Sequence, residues 1–331
     1  MDKIDFVLLW VDGSDPAWLQ EKNKYSDIQV DVSASAARYR DWDNLQFWFR
    51  GVEKYAPWVN KIFFITWGHL PKWLNVNHPK LRIVKHEEFI PKKYLPTFNS
   101  NAIELNIHRI PDLSEHIIIF NDDMFVINKT NISDFYQNGK PVDQFILDAI
   151  TPSPYMPIIP HTSVNNARII NKYFNKNKVI KDNFLKIYNL KYGSKMIRTL
   201  LLSPWSKFSG FINPHLPQAH LKSTFEILWD KEYEELDATC LNRFRKYNDV
   251  SHWLMRYWNL CSGNFVPRDN QYGRYFNIPD MEKDALNYIK KQKGKTVCIN
   301  DSSKEFDFEQ TKEEFITVFE NLFPEKSEFE I

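Results

Sequence analysis

Four short apolar runs occupy the first 122 residues and leave few folds open to the chain: residues 4–11 (IDFVLLWV), 61–67 (KIFFITW), 81–86 (LRIVKH) and 116–122 (HIIIFND). Runs of this length, with little polar alternation, suit strands buried on both faces. Between the first two, Leu45, Phe49, Val52 and Tyr55 recur at helical spacing ahead of Pro57. Between the last two, Ala102, Leu105, Ile107 and Ile110 lead to Pro111. Strands alternating with helices predict an α/β fold, a Rossmann-like and mostly parallel sheet flanked by helices.

Open α/β sheets bind ligands beyond the carboxyl ends of their strands, so the residues that follow each run are the first candidates. Asp12, Gly13 and Asp15 follow the first run; Asn121, Asp122 and Asp123 close the fourth. Paired carboxylates at such a place suit a hard divalent cation, Mg²⁺ or Mn²⁺, that carries a diphosphate. A surface turn whose acids cap a helix is the competing reading.

Other segments carry weaker signals, each with a plain structural alternative. In ARYRDWDN (37–44), Arg38 and Arg40 flank Asp41 and Asp43; arginine forks clamp phosphate, but the segment also reads as an ion-paired helix entry capped by Asp43. Asn99, Ser100 and Asn101 stand at a helix start, where free N–H groups attract an anion or are simply capped. His215 and His220 are five apart in NPHLPQAH, which does not place both on one helical face, and no cysteine lies near. That spacing argues against a zinc pair and leaves one histidine as a general base, or both as packed loop residues. In NRFRKYNDVS (242–251), Arg243, Arg245 and Asp249 either face a phosphoryl group or form a solvated helix end.

Net charge is +1, unevenly placed. Residues 165–202 hold nine Lys or Arg against one acid, whereas residues 301–331 hold ten acids against three Lys. The basic segment reads as a solvated helical face or as a contact for anionic lipid. Nucleic acid is disfavoured, because the remainder of the chain is acidic and would repel it. Cys240, Cys261 and Cys298 are widely spaced without a metal-ligand pattern, so buried thiols are expected. The opening apolar run spans only six residues before acids arrive, unlike a secretory signal, and no window nears the roughly twenty apolar residues that span a bilayer. The expectation is a soluble cytoplasmic protein. Helices are expected near 218–229, 232–244 and 250–262, followed by a turn-rich stretch at 263–280. In the tail, Thr311 and Glu314 predict a capping box, and Phe315, Val318, Phe319, Leu322 and Phe323 form one apolar stripe that docks on the core.

In this order the segments resemble the Stealth family of sugar-phosphate transferases. That family includes bacterial capsular and exopolysaccharide phosphotransferases and the catalytic subunit of the animal lysosomal-enzyme N-acetylglucosamine-1-phosphotransferase. IDFVLLWVDGSDP resembles its first block, and RYRDWDNLQFWFRGVEKYAPWVNKIFFITWGHLPKWLN through LPTFNSNAIELNIHRIPDLSEHIIIFNDDMFV its second. PHLPQAHLKSTFEILWDKEYEELDATC resembles the third, and NRFRKYNDVSHWLMRYWNLCSGNF the fourth. The resemblance implies transfer of a hexose 1-phosphate from a UDP-hexose to a glycan hydroxyl, with Mg²⁺ and release of UMP. Matched position by position, Asp12 and Gly13 fall in the donor-site turn and Asp122 and Asp123 are the paired metal acids. His215 is the leading histidine of the third block, expected as the base, and Arg245 the arginine of the fourth, expected to stabilise phosphate. One departure stands out: animal relatives carry a second histidine three residues after the first, where this chain has Gln218, with His220 two further on.

The combined expectation is a GT-A-like catalytic core of residues 1–150 and 203–280, a basic helical insertion at 151–202, and a C-terminal helical tail at 281–331 packed on the core. Arg38, Arg40, Asp41, Asn99, Ser100 and Asn101 join Asp12 and Gly13 on the donor side; Arg243, Asp249 and His220 are acceptor or secondary residues. The acceptor is expected to be lipid-linked, with the basic insertion resting on the inner leaflet. Two alternatives stand beside this reading. A metal-dependent glycosyltransferase would release UDP, and a non-catalytic glycan-binding module would use the aromatics for stacking.

Overall fold

The computed structural model describes residues 3–25, 40–152, 158–302 and 304–331, so Arg38 lies outside the described residues. Eleven strands are numbered here in chain order: β1 (Ile4–Leu9), β2 (Ile62–Thr66), β3 (Leu81–Lys85), β4 (His116–Asn121), β5 (Met124–Val126), β6 (Tyr136–Gln137), β7 (Lys140–Asp143), β8 (Gln218–Leu221), β9 (Val266–Pro267), β10 (Gly273–Ile278) and β11 (Thr296–Asp301). The main sheet has the order β3-β2-β1-β4-β8. Its first four strands are parallel and β8 pairs antiparallel with β4 at the edge.

The four apolar runs form the four parallel strands because both faces of the sheet are covered. Phe6 and Leu8 of β1, with Ile118 and Phe120 of β4, point into one core beside Trp48, Phe49 and Val52 of the helix Leu45–Tyr55. Val7, Ile117 and Ile119 point the other way, against Ala102 and Leu105 of the helix Ser100–Asn106. Successive side chains of a strand face opposite layers, so two apolar layers demand an uninterrupted apolar run.

The chain turns outward from β1 through β2 to β3 and then returns to the other side of β1 as β4. Leu9 is in register with Asn121. The switch point of the sheet therefore lies between Asp12 and Asp122, where a crevice is expected in a fold of this kind. A second sheet, β10-β11-β5, abuts the first. Asp122 and Asp123 are the two-residue turn by which the chain leaves β4 and enters β5, passing from one sheet to the other.

Several expectations need correction. Gln218–Leu221 is a strand rather than the start of a helix, because pairing with β4 satisfies its backbone at the sheet edge. The stretch at 263–280 contains β9 and β10, and the tail contains β11 besides its helices. The tail helix Phe308–Leu322 is capped by Asp307, whose side chain accepts from Gln310 N–H at 3.1 Å, so the helix starts with a simple aspartate cap four residues upstream of the predicted Thr311. Phe315, Phe319 and Phe323 are buried in the core as the stripe requires. Within the basic segment, Ile169, Ile170, Val179 and Ile187 join Leu254 and Phe265 in one core cluster.

Candidate active site

The turn at Asp122 and Asp123 is anchored from the second sheet. Ile299 N–H donates to the Asp123 carbonyl at 2.9 Å, and the Cys298 thiol donates to Asp123 Oδ2 at 3.2 Å. His215 Nε2 lies 3.3 Å from the same carboxylate oxygen. The other oxygen, Oδ1, is buried without a hydrogen-bond partner. A buried carboxylate oxygen left bare is costly unless a ligand completes it.

Asp122 is exposed at the outer side of the turn, yet the protein around its carboxyl desolvates it. Desolvation there, then repulsion by Asp123 and Asp41, push its carboxyl up to about 7. Asp41 is itself pushed up by desolvation, with Asp43 and Asp12 adding repulsion against the opposing Asp43 N–H and Lys312. Asp12, Asp41, Asp122 and Asp123 thus crowd negative charge into one crevice, and a cation bound among them would relieve it.

On the β1 side, Asp12 closes a local turn by accepting from Ser14 N–H at 2.8 Å and Ser14 Oγ at 2.6 Å. Its own N–H donates to His69 Nε2 at 2.7 Å, which fixes that histidine as neutral with its proton on Nδ1, 3.8 Å from Asp15. Gly13 lies in this turn, and Asp15 caps the helix Pro16–Asn23, a structural duty. Arg40 pairs with Asp301 at 3.8 Å and stacks on Phe306 and Phe308. Both Asp301 carboxylate oxygens are buried without a hydrogen bond, and burial pushes the group up to about 6 despite Arg40.

His215 sits at φ 44°, a left-handed backbone that non-glycine residues seldom adopt. What holds it there is a buried ion pair beneath the loop. Arg256 Nε and Nη2 grip Asp143 at 2.7 and 3.1 Å, while Nη1 donates to the Ile212 carbonyl at 2.9 Å. Tyr257 OH adds a bond to Asn213 Oδ1 at 3.0 Å. Burial alone would lower the His215 pKa, but the charge and hydrogen bond of Asp123, with Glu104 behind, outweigh it and Arg245, and the net direction is up.

Arg245 approaches from the opposite wall, donating to Ser100 Oγ. Its loop is fastened by buried Asp249, which accepts from the side chains of Asn99 (2.8 Å), Asn242 (2.8 Å) and Asn101 (3.2 Å) and from Lys246 N–H (3.1 Å). The side-chain N–H groups of Asn99 and Asn101 are therefore committed to a latch, and Asn99 also caps the helix through Asn101 N–H; the capping alternative describes them better than donor contact. Asp249 is fully buried and positions Arg245 rather than lining the recess. Arg243 is exposed and rests on the Tyr25 ring, 4.7 Å away.

His220 is a core histidine. It is fully buried on β8 with both ring nitrogens unpartnered, edge-on to His252 at 5.4 Å, and burial drives its pKa well below the ordinary value. It is held as the neutral ring, and nothing places it in the recess. Gln218, in the position of the second histidine, hydrogen-bonds Asp143 at 3.0 Å and so belongs to the support beneath His215.

Sequence reasoning missed His69, Glu104, Cys298 and Asp301. Glu104 is buried, hydrogen-bonded to His252 Nδ1 at 2.6 Å, and close enough to act on Arg245 and His215. Its spacing of four from Ser100, on the same helical face, was the one available signal. His69 lies in a loop within the second family block but was given no role, and Cys298 and Asp301 lie on the strand β11, which no motif marked.

Profiles of the Stealth protein family match as conserved region 1 at residues 2–29 and conserved region 2 at residues 38–143. The capsular polysaccharide phosphotransferase WcwK of Streptococcus pneumoniae is 46% identical over 335 residues, covering 100% of this chain and 98% of its own. The exopolysaccharide phosphotransferase cps2G of Lactiplantibacillus plantarum is 39% identical over 329 residues, covering 99% and 96%. Among solved structures, the galactosyltransferase LgtC in complex with donor and acceptor sugar analogs aligns over 98% of both chains at 9% identity. Its TM-score of 0.40 is too low to bear on the chemistry.

Proposed function

Because this chain belongs to the Stealth family and is a phosphotransferase of capsular or exopolysaccharide synthesis, we propose that it transfers hexose 1-phosphate from a UDP-hexose to a glycan hydroxyl. The observation that carries this reading is the meeting of Asp123, His215 and Asp122 at one turn, with Arg245 near enough for His215 to feel its charge. The acceptor hydroxyl oxygen attacks the phosphorus that bears the hexose. His215 takes the hydroxyl proton on Nδ1, since Nε2 holds its own proton toward Asp123; the phosphoanhydride bond breaks and UMP leaves, so the hexose ends in a phosphodiester. Arg245 faces the charge that spreads over the phosphoryl oxygens.

The residues present fit a hard divalent cation: Asp123 Oδ1 is buried without a partner, and desolvation followed by repulsion from Asp123 pushes the Asp122 carboxyl up to about 7, which a bound cation would oppose. Asp122 and Asp123 would hold Mg²⁺ or Mn²⁺, with Asp12 and Asp41 adding to the field. When bound, the cation supplies charge neutralisation to the diphosphate. Asp123 meanwhile keeps the imidazole oriented and raises its basicity.

A lipid-linked acceptor is supported by the surface of the basic segment. Leu185 and Leu190 are 81% and 87% exposed, and Phe184, Ile197, Leu201 and Trp205 are exposed nearby. Lys181, Lys191, Arg198 and Lys207 are exposed on the same stretch. Bulky apolar side chains among cations suit the headgroup boundary of an anionic leaflet. None of the helices among the described residues is long and apolar enough to cross a membrane, so contact would be peripheral.

The deciding experiment incubates the purified protein with Mg²⁺, a panel of UDP-hexoses and a short glycan, and identifies the released nucleotide by chromatography. UMP, lost in Asp122→Ala and Asp123→Ala, is expected. UDP would mean attack at the anomeric carbon and would overturn the proposal.

A further inference from the structure

We propose that Asp123, His215 and Cys298 form a binding site for Zn²⁺ that overlaps the catalytic carboxylates and turns the enzyme off when filled. The three residues come from the β4–β5 turn, the loop after Ile212 and the strand β11, yet their ligand atoms all lie within 4.8 Å of one another. Asp123 Oδ2 is 3.3 Å from His215 Nε2 and 3.2 Å from Cys298 Sγ. In a tetrahedral zinc site with bonds of about 2.0–2.3 Å, neighbouring ligand atoms stand roughly 3.3–3.8 Å apart. The pair at 3.3 Å meets that spacing, the pair at 3.2 Å falls just short of it, and the third, within 4.8 Å, closes with a shift of at most about 1 Å, within the reach of side-chain torsions.

The donor set separates this site from the hard-cation site beside it. Mg²⁺ takes oxygen ligands and leaves a thiol and an imidazole aside, whereas the combination of carboxylate, imidazole and thiolate is a zinc set. Among the described residues it is the single cluster of three such side chains. The bare Asp123 Oδ1 is an independent sign that the carboxylate lacks a ligand. Three protein ligands leave a fourth position toward the crevice for water or Asp122, the arrangement of an open zinc site rather than a closed structural one.

Filling the site has a direct consequence. Zinc on His215 Nε2 leaves the ring proton on Nδ1, the atom proposed to take the acceptor proton, and draws Asp123 away from the diphosphate cation; the thiol proton of Cys298 leaves to solvent. The inhibitory consequence rests on the proposed role of His215, whereas the binding rests on geometry alone.

The test begins with metal-free protein and needs no substrate. Cobalt(II) is added as a spectroscopic substitute, and zinc affinity is measured by competition with a chromophoric chelator. The expected result is one zinc per chain and a thiolate-to-cobalt charge-transfer band in the near ultraviolet. Cys298→Ser removes the band and weakens zinc at least about tenfold, while Cys240→Ser, a buried thiol elsewhere, changes neither. A wild-type protein without the band, or equal zinc affinity in Cys298→Ser, overturns the site. The second arm titrates zinc into the Mg²⁺-supported reaction, with inhibition expected at the zinc concentration that fills the site. Zinc that gives the cobalt signature yet leaves turnover unchanged overturns the switch and the role of His215 together.

Discussion

Asp123 and His215 meet at 3.3 Å although 92 residues of chain separate them. The carboxylate ends a strand of the main sheet, and the imidazole is held in a left-handed backbone by a loop fastened from below. The carboxylate orients the ring, and in the proposed reaction the ring marks where the attacking hydroxyl would stand. His215→Ala is expected to lower turnover about 10²- to 10⁴-fold, the usual contribution of a positioned base, with the melting temperature nearly unchanged. Near-normal turnover would remove His215 from the mechanism.

The buried pair of Arg256 and Asp143 underlies that loop, with side chains 1% and 4% exposed. Removing one partner leaves an uncompensated charge in the core. Arg256→Met is therefore expected to cost about 3–5 kcal/mol in urea unfolding. Replacing both partners with apolar residues should restore much of that stability but not turnover, since Ile212 and Asn213 lose their anchor.

Acid should destabilise the fold through buried neutral histidines. Burial lowers His86 to about 4 and His108 to about 3, and drives His220 well below the ordinary value. The unfolded chain takes up protons below about pH 6.5 that the fold refuses, so stability is intact above that pH and falls as pH drops through it. Each such histidine contributes a slope of about 1.4 kcal/mol per pH unit until its folded pKa is reached. His215, raised in the fold, acts in the opposite sense: its contribution is present below about pH 6.5 and lost as pH rises through the folded value. Urea midpoints compared at pH 7.5 and pH 5.5, for the wild type and a His108→Gln protein, measure the net effect; an equal slope in the two would refute it.

The exposed face of the basic segment should bind anionic vesicles. Cosedimentation with vesicles containing phosphatidylglycerol is expected at low salt. It should weaken as ionic strength shortens the Debye length to about 8 Å at 0.15 M. Leu185→Ser with Leu190→Ser should abolish the salt-resistant fraction while leaving turnover on a soluble acceptor intact. A protein indifferent to these vesicles would remove the lipid contact.

The parallel strands were legible because burial on both faces writes itself as an unbroken apolar run, and the acids of the crevice were legible because they follow such runs. β8 falls at the start of the helix expected near 218–229 because four residues at a sheet edge carry no period of their own, and only the partner strand β4 decides them. The latch role of Asp249 and the core placement of His220 were equally hidden, since a buried polar residue is recognised by its partners and not by its type.

By itself the sequence determined the parallel sheet, the acids that end β4 and the segments that carry His215 and Arg245. These depend on local apolar pattern and on residue type, both of which are linear properties. Only the tertiary structure decided that Cys298 and Asp301 of β11 border the same crevice, that His220 does not, and that Asp143 and Arg256 hold His215 in place. Those outcomes follow from the abutment of two sheets and from pairing across more than a hundred residues, which no window of sequence encodes.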